Sequence, residues 1–314
     1  MILNMIVTLT LNPALDKIIQ MENDIDPGNI NRQEKMIVRA GGKGLNVARI
    51  VNKLNRSVLA ISPVGGFPGK RIEKILQEEG TPAKLTSNKY ETRENIKLIE
   101  KSGRETEINQ FGQLDRENYD KLVNVLIKHL EKADILVLAG SVPDGLSKDI
   151  YSELLTLSRK HKVKTILDTS GKALKEGIKG KPFLIKPNLK ELEELSERKL
   201  NDIAEIKKAV KKLINLGLEN IVVSLGEKGA VFASKDQLYH VIPPQVKMAD
   251  TTVGAGDTMV AGISIALKEK FTFQKMASYA TSLATLFVSG VPITENHIKR
   301  IERELKIIDG GGLE

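Results

Sequence analysis

The feature that most constrains the fold is a regular alternation of helical and strand-like segments that begins near residue 114. Amphipathic stretches such as "RENYDKLVNVLIKHLEK" (116–132) alternate with short apolar runs, among them "ADILVLAG" (133–140), "VKTILDTS" (163–170) and "KPFLIKPN" (181–188). Strands that are apolar on both faces are typical of parallel sheets covered by helices. With right-handed crossovers, this pattern predicts a three-layer α/β/α fold with a mostly parallel central sheet.

The first third of the chain follows a different pattern. The pieces "KIIQM" (17–21), "RQEKMIVRA" (32–40), "TRENIKLIE" (92–100) and "RETEINQF" (104–111) alternate apolar and polar residues, which is typical of strands with one solvated face. We therefore predict one domain, 1–314, with lid segments at about 12–39 and 91–110 that form a small β-sheet. From Thr251 onward the pattern is mainly helical, and "GGGLE" at the end is interpreted as a tail.

Composition excludes several kinds of site. The chain has no cysteine and four widely spaced histidines, so disulfides, thiolate zinc sites and cysteine nucleophiles are excluded, and a histidine metal site is disfavoured. The absence of cysteine fits a cytoplasmic protein. No run of about 18 apolar residues is present, so we expect no membrane partner.

The net charge of +8 raises the question of nucleic acid. The lysines are spread over helix faces, as in "EIKKAVKKLINLG" (205–217), where the opposite face is apolar. Aromatic residues make up 4% of the chain and tryptophan is absent, which disfavours a stacking platform for bases. We expect no nucleic-acid partner, and the excess charge suits anionic substrates.

The stretch "TTVGAGDTMVAG" (251–262) places glycines where a turn becomes a helix. Free amides at a helix start favour an anion, and Gly254, Ala255 and Gly256 allow its close approach. Asp257 then lies in the first turn. It is either a helix-end residue stabilised by the dipole or a base that faces the bound group.

A second glycine-rich helix start is "AGGKGLNVAR" (40–49). It fits neither G-x-G-x-x-G nor the Walker pattern, and "GGFPGKR" (65–71) fails the Walker pattern as well. Gly41, Gly42, Lys43 and Asn46 therefore form either a tight turn or a site for a polyhydroxylated or anionic ligand.

Two further stretches have both a structural and a functional interpretation. In "KPNLKELEEL" (186–195), Asn188 and Glu191 have the spacing of a capping box, but after a sheet strand they could also orient water around Mg²⁺. In "VVSLGEKGAVF" (222–232), the segment with Ser224, Gly226 and Gly229 is either a hairpin turn or a surface for a nucleotide.

Taken together, these stretches resemble the ribokinase-like sugar kinases, specifically the phosphofructokinase-B group. The motifs occur in the expected order along nearly the whole chain: "TLNPALDK" (10–17), "AGGKGLNVAR" (40–49), "ETREN" (91–95), "TEIN" (106–109), "AGSVP" (139–143), "KPNLKEL" (186–192), "VSLGEKGA" (223–230) and "TVGAGDTMVAG" (252–262). The resemblance implies a ribokinase-like fold with a sheet of about nine strands and a β lid over the sugar. It also implies ATP and Mg²⁺, with K⁺ left open, and exposed lid edges suggest a homodimer.

The resemblance also assigns roles to residues. It implies Asp257 as the general base and Gly254, Ala255 and Gly256 as the anion hole. The sugar phosphate is assigned to Asp16, Gly41, Gly42, Lys43, Asn46, Arg93, Arg104 and Ser141. The nucleotide and metal shell are assigned to Lys186, Asn188, Glu191, Ser224, Gly226 and Gly229, with Asn188 and Glu191 acting on the metal through water.

The reaction implied is phosphorylation of fructose 1-phosphate to fructose 1,6-bisphosphate by ATP. Tagatose 6-phosphate is the near alternative, followed by fructose 6-phosphate and an unphosphorylated sugar or nucleoside. Arg93 and Lys43 are expected to select for a phosphate already on the sugar. Asp257 is expected to have an ordinary pKa of about 3.9 and to be ionised at neutral pH. A nucleic-acid-binding protein and an inactive sugar sensor are the alternatives from other classes.

Overall fold

A computed structural model describes residues 5–249 and 253–311. Thr251, Thr252 and the last three residues of the "GGGLE" tail lie outside the described residues. Within those two ranges, no helix combines the length and the apolarity needed to cross a bilayer.

Ten strands, numbered in chain order, form the central sheet: β1 Met5–Leu9, β4 Val58–Val64, β5 Ala83–Ser87, β8 Ala133–Ala139, β9 Lys164–Asp168, β10 Leu184–Ile185, β11 Asn220–Ser224, β12 Ala230–Ser234, β13 Leu238–Ile242 and β14 Lys306–Asp309. Their order across the sheet is β14-β13-β12-β11-β10-β9-β8-β1-β4-β5. The pairs from β5 to β11 are parallel, and β12, β13 and β14 add an antiparallel edge.

The described part of the chain has ten helices beside these strands: α1 Lys43–Lys53, α2 Gly66–Glu78, α3 Arg116–Leu130, α4 Ile150–Lys160, α5 Gly171–Lys179, α6 Leu189–Ser196, α7 Ile203–Asn215, α8 Ala255–Lys268, α9 Phe273–Ser289 and α10 Glu295–Glu304. The C-terminal part is mainly helical, as predicted, with β14 as an addition.

Apolar side chains cover both faces of the sheet, as the continuous apolar runs predicted. On β8, Ile135 and Val137 pack with the cluster that contains α8 and α9. Their neighbours Leu136 and Leu138 pack into the opposite cluster, which contains α3, α4 and α7. Because alternate residues of a strand point to opposite faces, this division shows a sheet buried between two helical layers.

The alternating segments form a separate sheet of four strands: β2 Ala14–Met21, β3 Gln33–Gly41, β6 Arg93–Ile99 and β7 Glu105–Asn109. Its order is β3-β2-β6-β7, and every residue of β7 is exposed. We call this sheet the lid sheet. The predicted fold class, a layered α/β core with a small second sheet, is confirmed.

Candidate active site

The site is built where the parallel strands of the central sheet end. Asp168 is the last residue of β9, Lys186 follows β10, and Ser224 is the last residue of β11. The starts of α1 and α8 lie at this same edge. In α/β proteins, ligands bind at the carboxyl ends of such strands, so the topology brings together segments that are far apart in the chain.

The starts of α1 and α8 lack side-chain caps. Each helix follows a glycine, Gly42 or Gly254, and neither glycine has a side chain that could occupy the first amides. Gly254 has a φ of 104°, and a Cβ there would lie 2.8 Å from the Phe287 ring. A side chain at position 254 would therefore disturb the helix start, whose amides have no side-chain cap and are of the kind that can bind an anion.

Asp257 lies in the first turn of α8, where it is 7% exposed. Its Oδ2 accepts a hydrogen bond of 2.8 Å from Asn46 Nδ2 on α1. Burial and the charge of Asp168 raise the pKa of Asp257 to about 6, although Asn46, Lys43 and Lys186 act in the opposite direction. The expectation of an ordinary pKa was wrong, because the carboxylate is desolvated beside another acid.

Asp168 is a central residue of the site that the sequence analysis missed. Its side chain is fully buried, and its Oδ1 lies 3.0 Å from Lys43 Nζ and 3.5 Å from Lys186 Nζ. Its Oδ2 has no hydrogen-bond partner in the described part of the chain. Burial opposes ionisation, but the two lysines hold the pKa of Asp168 below its ordinary value. The available signal was an acid at the end of the apolar run "VKTILD".

The two lysines differ in exposure. The Lys43 side chain is 37% exposed, whereas that of Lys186 is 5% exposed. Lys186 Nζ lies 3.4 Å from the position of a Cβ on Gly256, so its ammonium group is next to the start of α8. Burial lowers the pKa of Lys43, but Asp168 and Asp257 together raise it above its ordinary value. Lys43 is thus already paired with an acid.

Asp16 lies on the lid sheet, where its Oδ1 accepts a hydrogen bond of 2.9 Å from Asn95 Nδ2. Burial raises the pKa of Asp16, and the bond from Asn95 opposes this effect. A Cβ at Gly41, on the paired strand β3, would lie 2.0 Å from Asp16 Oδ2. Glycine at this position therefore gives the carboxylate the space that it occupies.

Arg93 begins β6, next to Ala14 on β2. Its guanidinium makes three long hydrogen bonds of 3.3 to 3.4 Å to Asn95 Oδ1 and to the carbonyls of Gln110 and Asn12. Its Nε is buried and has no hydrogen-bond partner among the described residues. Desolvation lowers the pKa of Arg93, and the charge of Asp16 opposes this effect.

Ser141 and Arg104 have different positions relative to Arg93. Ser141 Oγ accepts a hydrogen bond of 2.9 Å from Asn12 Nδ2, and the Asn12 carbonyl contacts Arg93, so Ser141 is close to the site. Arg104 lies beyond the far end of β6 and pairs at 2.6 Å with Glu100. The seven residues of β6 span roughly 20 Å from one end to the other. The structure does not bring Arg104 to the site, so we do not propose Arg104 as a ligand of the sugar phosphate.

The predicted nucleotide segment lies beside β10 and β11. Asn188 and Glu191 form a capping box at the start of α6, with two hydrogen bonds of 2.8 Å. Asn188 bridges to Ser224, and Ser224 leads into the turn that contains Gly226 and Gly229. In the described ranges no group of three acids or histidines is close enough to hold a metal ion.

A cavity of about 880 Å³ separates the lid sheet from α1 and α8. Asp16 and Asn95 line it on the lid side, and Asn46, Gly254 and Phe287 line it on the core side. The cavity therefore joins the acid of the lid to the helix start that carries Asp257.

Comparisons with known proteins point to one family. The family model described as "pfkB family carbohydrate kinase" matches residues 9–294. A 1-phosphofructokinase of Borreliella burgdorferi is 38% identical over 287 residues, which is 89% of this chain and 92% of that protein. A tagatose-6-phosphate kinase of Staphylococcus epidermidis is 35% identical over 286 residues, or 90% of this chain and 91% of that protein.

Solved structures give the same result. The phosphofructokinase-2 of Escherichia coli in complex with fructose-6-phosphate superposes with a TM-score of 0.89 at 30% identity, covering 96% of this chain and 98% of that one. Other structures of that protein are described as a complex with potassium and as a tetrameric inhibited form.

Proposed function

The chain belongs to the pfkB family of carbohydrate kinases, and on this basis we propose that it transfers a phosphoryl group from ATP to fructose 1-phosphate, giving fructose 1,6-bisphosphate. Similarity to proteins named 1-phosphofructokinase supports this choice of sugar. Membership of the family agrees with the resemblance found in the sequence motifs.

The observation that carries the proposal is the incompletely bonded Arg93. Arg93 is half-buried, its Nε has no hydrogen-bond partner among the described residues, and its three hydrogen bonds are long, so its guanidinium is suited to binding an anion. The phosphate already present on the sugar supplies that anion through a bidentate contact. Lys43 was expected to share this role, but its pairing with Asp168 leaves selection for the phosphorylated sugar mainly to Arg93.

The start of α8 stabilises the group in transfer. Phosphoryl transfer depends chiefly on positioning and on neutralising charge that spreads over the phosphoryl oxygens. The amides of Ala255 and Gly256 are preorganised donors for these oxygens, and Lys186 adds a cation beside Gly256. Groups that are already oriented require no reorganisation during the reaction.

Asp257 acts as the general base. Asn46 occupies Oδ2 of the carboxylate, so the sugar hydroxyl gives its proton to Oδ1 as it attacks the phosphoryl group. A pKa of about 6 leaves the carboxylate mostly ionised at neutral pH. It also makes the carboxylate a stronger base than an ordinary aspartate, which suits general base catalysis near pH 7.

Asn188 and Glu191 would hold Mg²⁺ together with the phosphates of the nucleotide. Glu191 uses Oε2 in the capping box, which leaves Oε1 for a water of the metal shell, and Asn188 is exposed beside it. Such sparse protein ligation is usual for Mg²⁺, which retains water and binds nucleotide phosphates. When bound, the ion supplies charge neutralisation on the phosphate oxygens.

The nucleotide is assigned to the turn after β11. Ser224 and the 3₁₀ turn Gly226–Lys228 lie beside Asn188, and nothing lies within 4 Å of a Cβ built on Gly226. This open backbone surface suits a flat base or a ribose, with the phosphates directed toward Lys186 and α8.

We propose a K⁺ site near the start of α8. The Ala249 amide donates a hydrogen bond of 2.8 Å to the Val288 carbonyl, and Phe287 packs on Gly254, so the segment before α8 and the end of α9 are adjacent. A higher turnover in KCl than in equimolar NaCl supports this site. Equal turnover in the two salts contradicts it.

Tagatose 6-phosphate is the second candidate substrate, because a tagatose-6-phosphate kinase shares 35% identity over 90% of this chain. In a ketofuranose the two CH₂O arms occupy similar ends of the ring. A site can therefore hold a phosphate on one arm and phosphorylate the other.

ADP release tests the proposal with five sugars: fructose 1-phosphate, fructose 6-phosphate, tagatose 6-phosphate, fructose and ribose. We expect the highest kcat/KM with fructose 1-phosphate and little turnover with the two unphosphorylated sugars. A preference for tagatose 6-phosphate selects the second candidate. A preference for fructose or ribose contradicts the role of Arg93 and the proposal as a whole.

A further inference from the structure

Asp168 is a buried charge to which the reaction as described gives no task. Its carboxylate is fully buried, one of its oxygens lies beside two ammonium groups, and the other oxygen has no hydrogen-bond partner among the residues that the structure describes. A buried carboxylate is costly unless it is fully paired. Packing alone does not explain why a buried carboxylate with one unbonded oxygen lies at the edge of the reaction centre.

The position of Asp168 links three parts of the fold. Lys43 begins α1, Lys186 follows β10, and Asp168 ends β9. Because long lysine side chains otherwise sample many rotamers, one fixed carboxylate defines where both ammonium groups lie. One of these groups is the neighbour of Gly256 in the anion hole.

The cluster differs from a closed internal ion pair. The Lys43 side chain is 37% exposed, and Lys186 reaches the start of α8 rather than a packed interior. The Lys43 ammonium group therefore remains accessible to a phosphate that binds at this helix start, and the Lys186 ammonium group, although its side chain is only 5% exposed, lies beside Gly256 at the same place. With Asp257, the cluster contains two acids and two lysines, so the two cations are balanced before an anion binds.

We propose that Asp168 is a positioning residue that holds Lys43 and Lys186 at the start of α8 and shares them with the phosphate oxygens during transfer. This role rests on the proposed kinase reaction. No bond is made or broken at Asp168, and no proton moves to it. Its contribution is to fix two cations in advance, since a displacement of about 1 Å can cost roughly 100-fold in rate.

Asp168→Asn tests the role, because the amide keeps the shape and removes the charge. We expect kcat to fall by about 10- to 100-fold, the range typical of residues that orient others, while KM for ATP and for the sugar changes less. The acidic limb of the kcat profile should also move to lower pH. The charged groups around Asp257 are Asp168, Lys43 and Lys186, and loss of the acid leaves the two cations to stabilise the ionised base.

Lys43→Met should displace the acidic limb of the kcat profile in the opposite direction. It removes a cation that stabilises ionised Asp257, so the acidic limb should move to higher pH. A purely structural role predicts loss of stability without opposite displacements of the two profiles. Displacements in the same direction, or none, overturn the proposal. If Asp168→Asn does not fold, Lys43→Met still tests the position of Lys43, because an acidic limb that it leaves unchanged shows that Lys43 is not held beside Asp257.

A measurement without turnover separates this inference from the proposed function. The ionisation of Lys43 can be followed by NMR of ¹³Cε-labelled lysine, with Lys43→Met identifying the signal. Burial lowers the pKa of Lys43, whereas Asp168 and Asp257 raise it and Glu191 adds a smaller effect, so Asp168→Asn should lower that pKa. An unchanged Lys43 titration contradicts the inference, whereas a wild-type protein inactive on all five sugars contradicts only the proposed function.

Discussion

At the residue scale, the surroundings of Asp257 support its proposed role as the general base. It is nearly buried, is oriented by Asn46 at 2.8 Å and lies beside two lysines and an acid. We predict that Asp257→Asn lowers kcat by at least about 100-fold, the lower range for general base catalysis. Steady-state kinetics measure the loss, and ATP binding and thermal melting serve as controls for the fold. Near-normal turnover is incompatible with Asp257 as the base.

The pKa of Asp257 sets a prediction for pH dependence. The base must be ionised, and its pKa is raised to about 6, so kcat should fall as the pH drops through about 6. Asn46→Ala removes a hydrogen bond that stabilises the ionised form, so the limb should move to higher pH. The measurement is kcat at saturating substrate, since a free phosphate monoester also titrates near pH 6. A limb that Asn46→Ala leaves unchanged belongs to another group.

Arg93 and Arg104 form a matched pair for substrate binding. Arg93→Ala should raise KM for the sugar phosphate by roughly 10- to 100-fold, because a charge-assisted hydrogen bond is worth about 1.5–3 kcal/mol. KM for ATP should change little. Arg104→Ala removes the same charge from the far end of the lid sheet and should leave both constants unchanged. An equal rise in KM for ATP in Arg93→Ala would contradict the assignment of Arg93 to the sugar-phosphate site.

The sequence was informative about motif residues and uninformative about their partners. Glycines and an acid at a helix start are common, and Gly254, Gly256 and Asp257 were assigned a role only because the other motifs of the family occur in order along the chain. Asp168 was not assigned a role, because one acid after an apolar strand is common. Its contact with Lys43 spans 125 residues, and only the assembled sheet brings the two together.

At the scale of elements, apolar periodicity predicted the layers well and the strand lengths less well. The segment "KPFLIKPN" was interpreted as a strand, but β10 contains only Leu184 and Ile185. Pro187 has no N–H for the ladder, and Asn188 already caps α6. The residues that follow β10 therefore belong to the site rather than to the strand. The periodicity of apolar residues does not predict where a strand ends.

Helix caps allow a test of stability that is separate from activity. Asp202 caps α7 by accepting a hydrogen bond of 2.8 Å from the Glu205 amide. Asp202→Ala should lower the free energy of unfolding by about 1 kcal/mol, measured by urea denaturation, with kcat unchanged. Asp236→Ala makes the same chemical change in the exposed turn before β13 and should have little effect. Equal losses in both variants would attribute the effect to charge rather than to capping.

At the scale of the whole molecule, we propose that the lid sheet pairs with a second copy. Strand β7 is an exposed edge, and Met36 and Ile108 are 46% and 54% exposed on this sheet. Unpaired edges with apolar side chains favour association. The tetrameric form of the Escherichia coli protein is a property of that relative.

Ile108→Glu should shift the protein from dimer to monomer, because it places a charge in the proposed interface. Sedimentation velocity over a range of concentrations measures the mass. Leu216→Glu introduces the same charge at a 72% exposed position that ends α7 and should leave the mass unchanged. A monomeric wild-type protein, or an unaltered dimer in Ile108→Glu, rejects pairing through the lid sheet.

The hydrogen bond from Asn46 to Asp257 joins residues 211 positions apart, and this separation has a consequence for synthesis on the ribosome. The chain emerges from its amino end, and early parts fold first. The growing polypeptide therefore carries Asp16, Lys43 and Lys186 well before Asp257 and the start of α8 leave the ribosome. An incomplete chain lacks both the proposed base and the proposed anion hole, so truncated products of translation should not consume ATP.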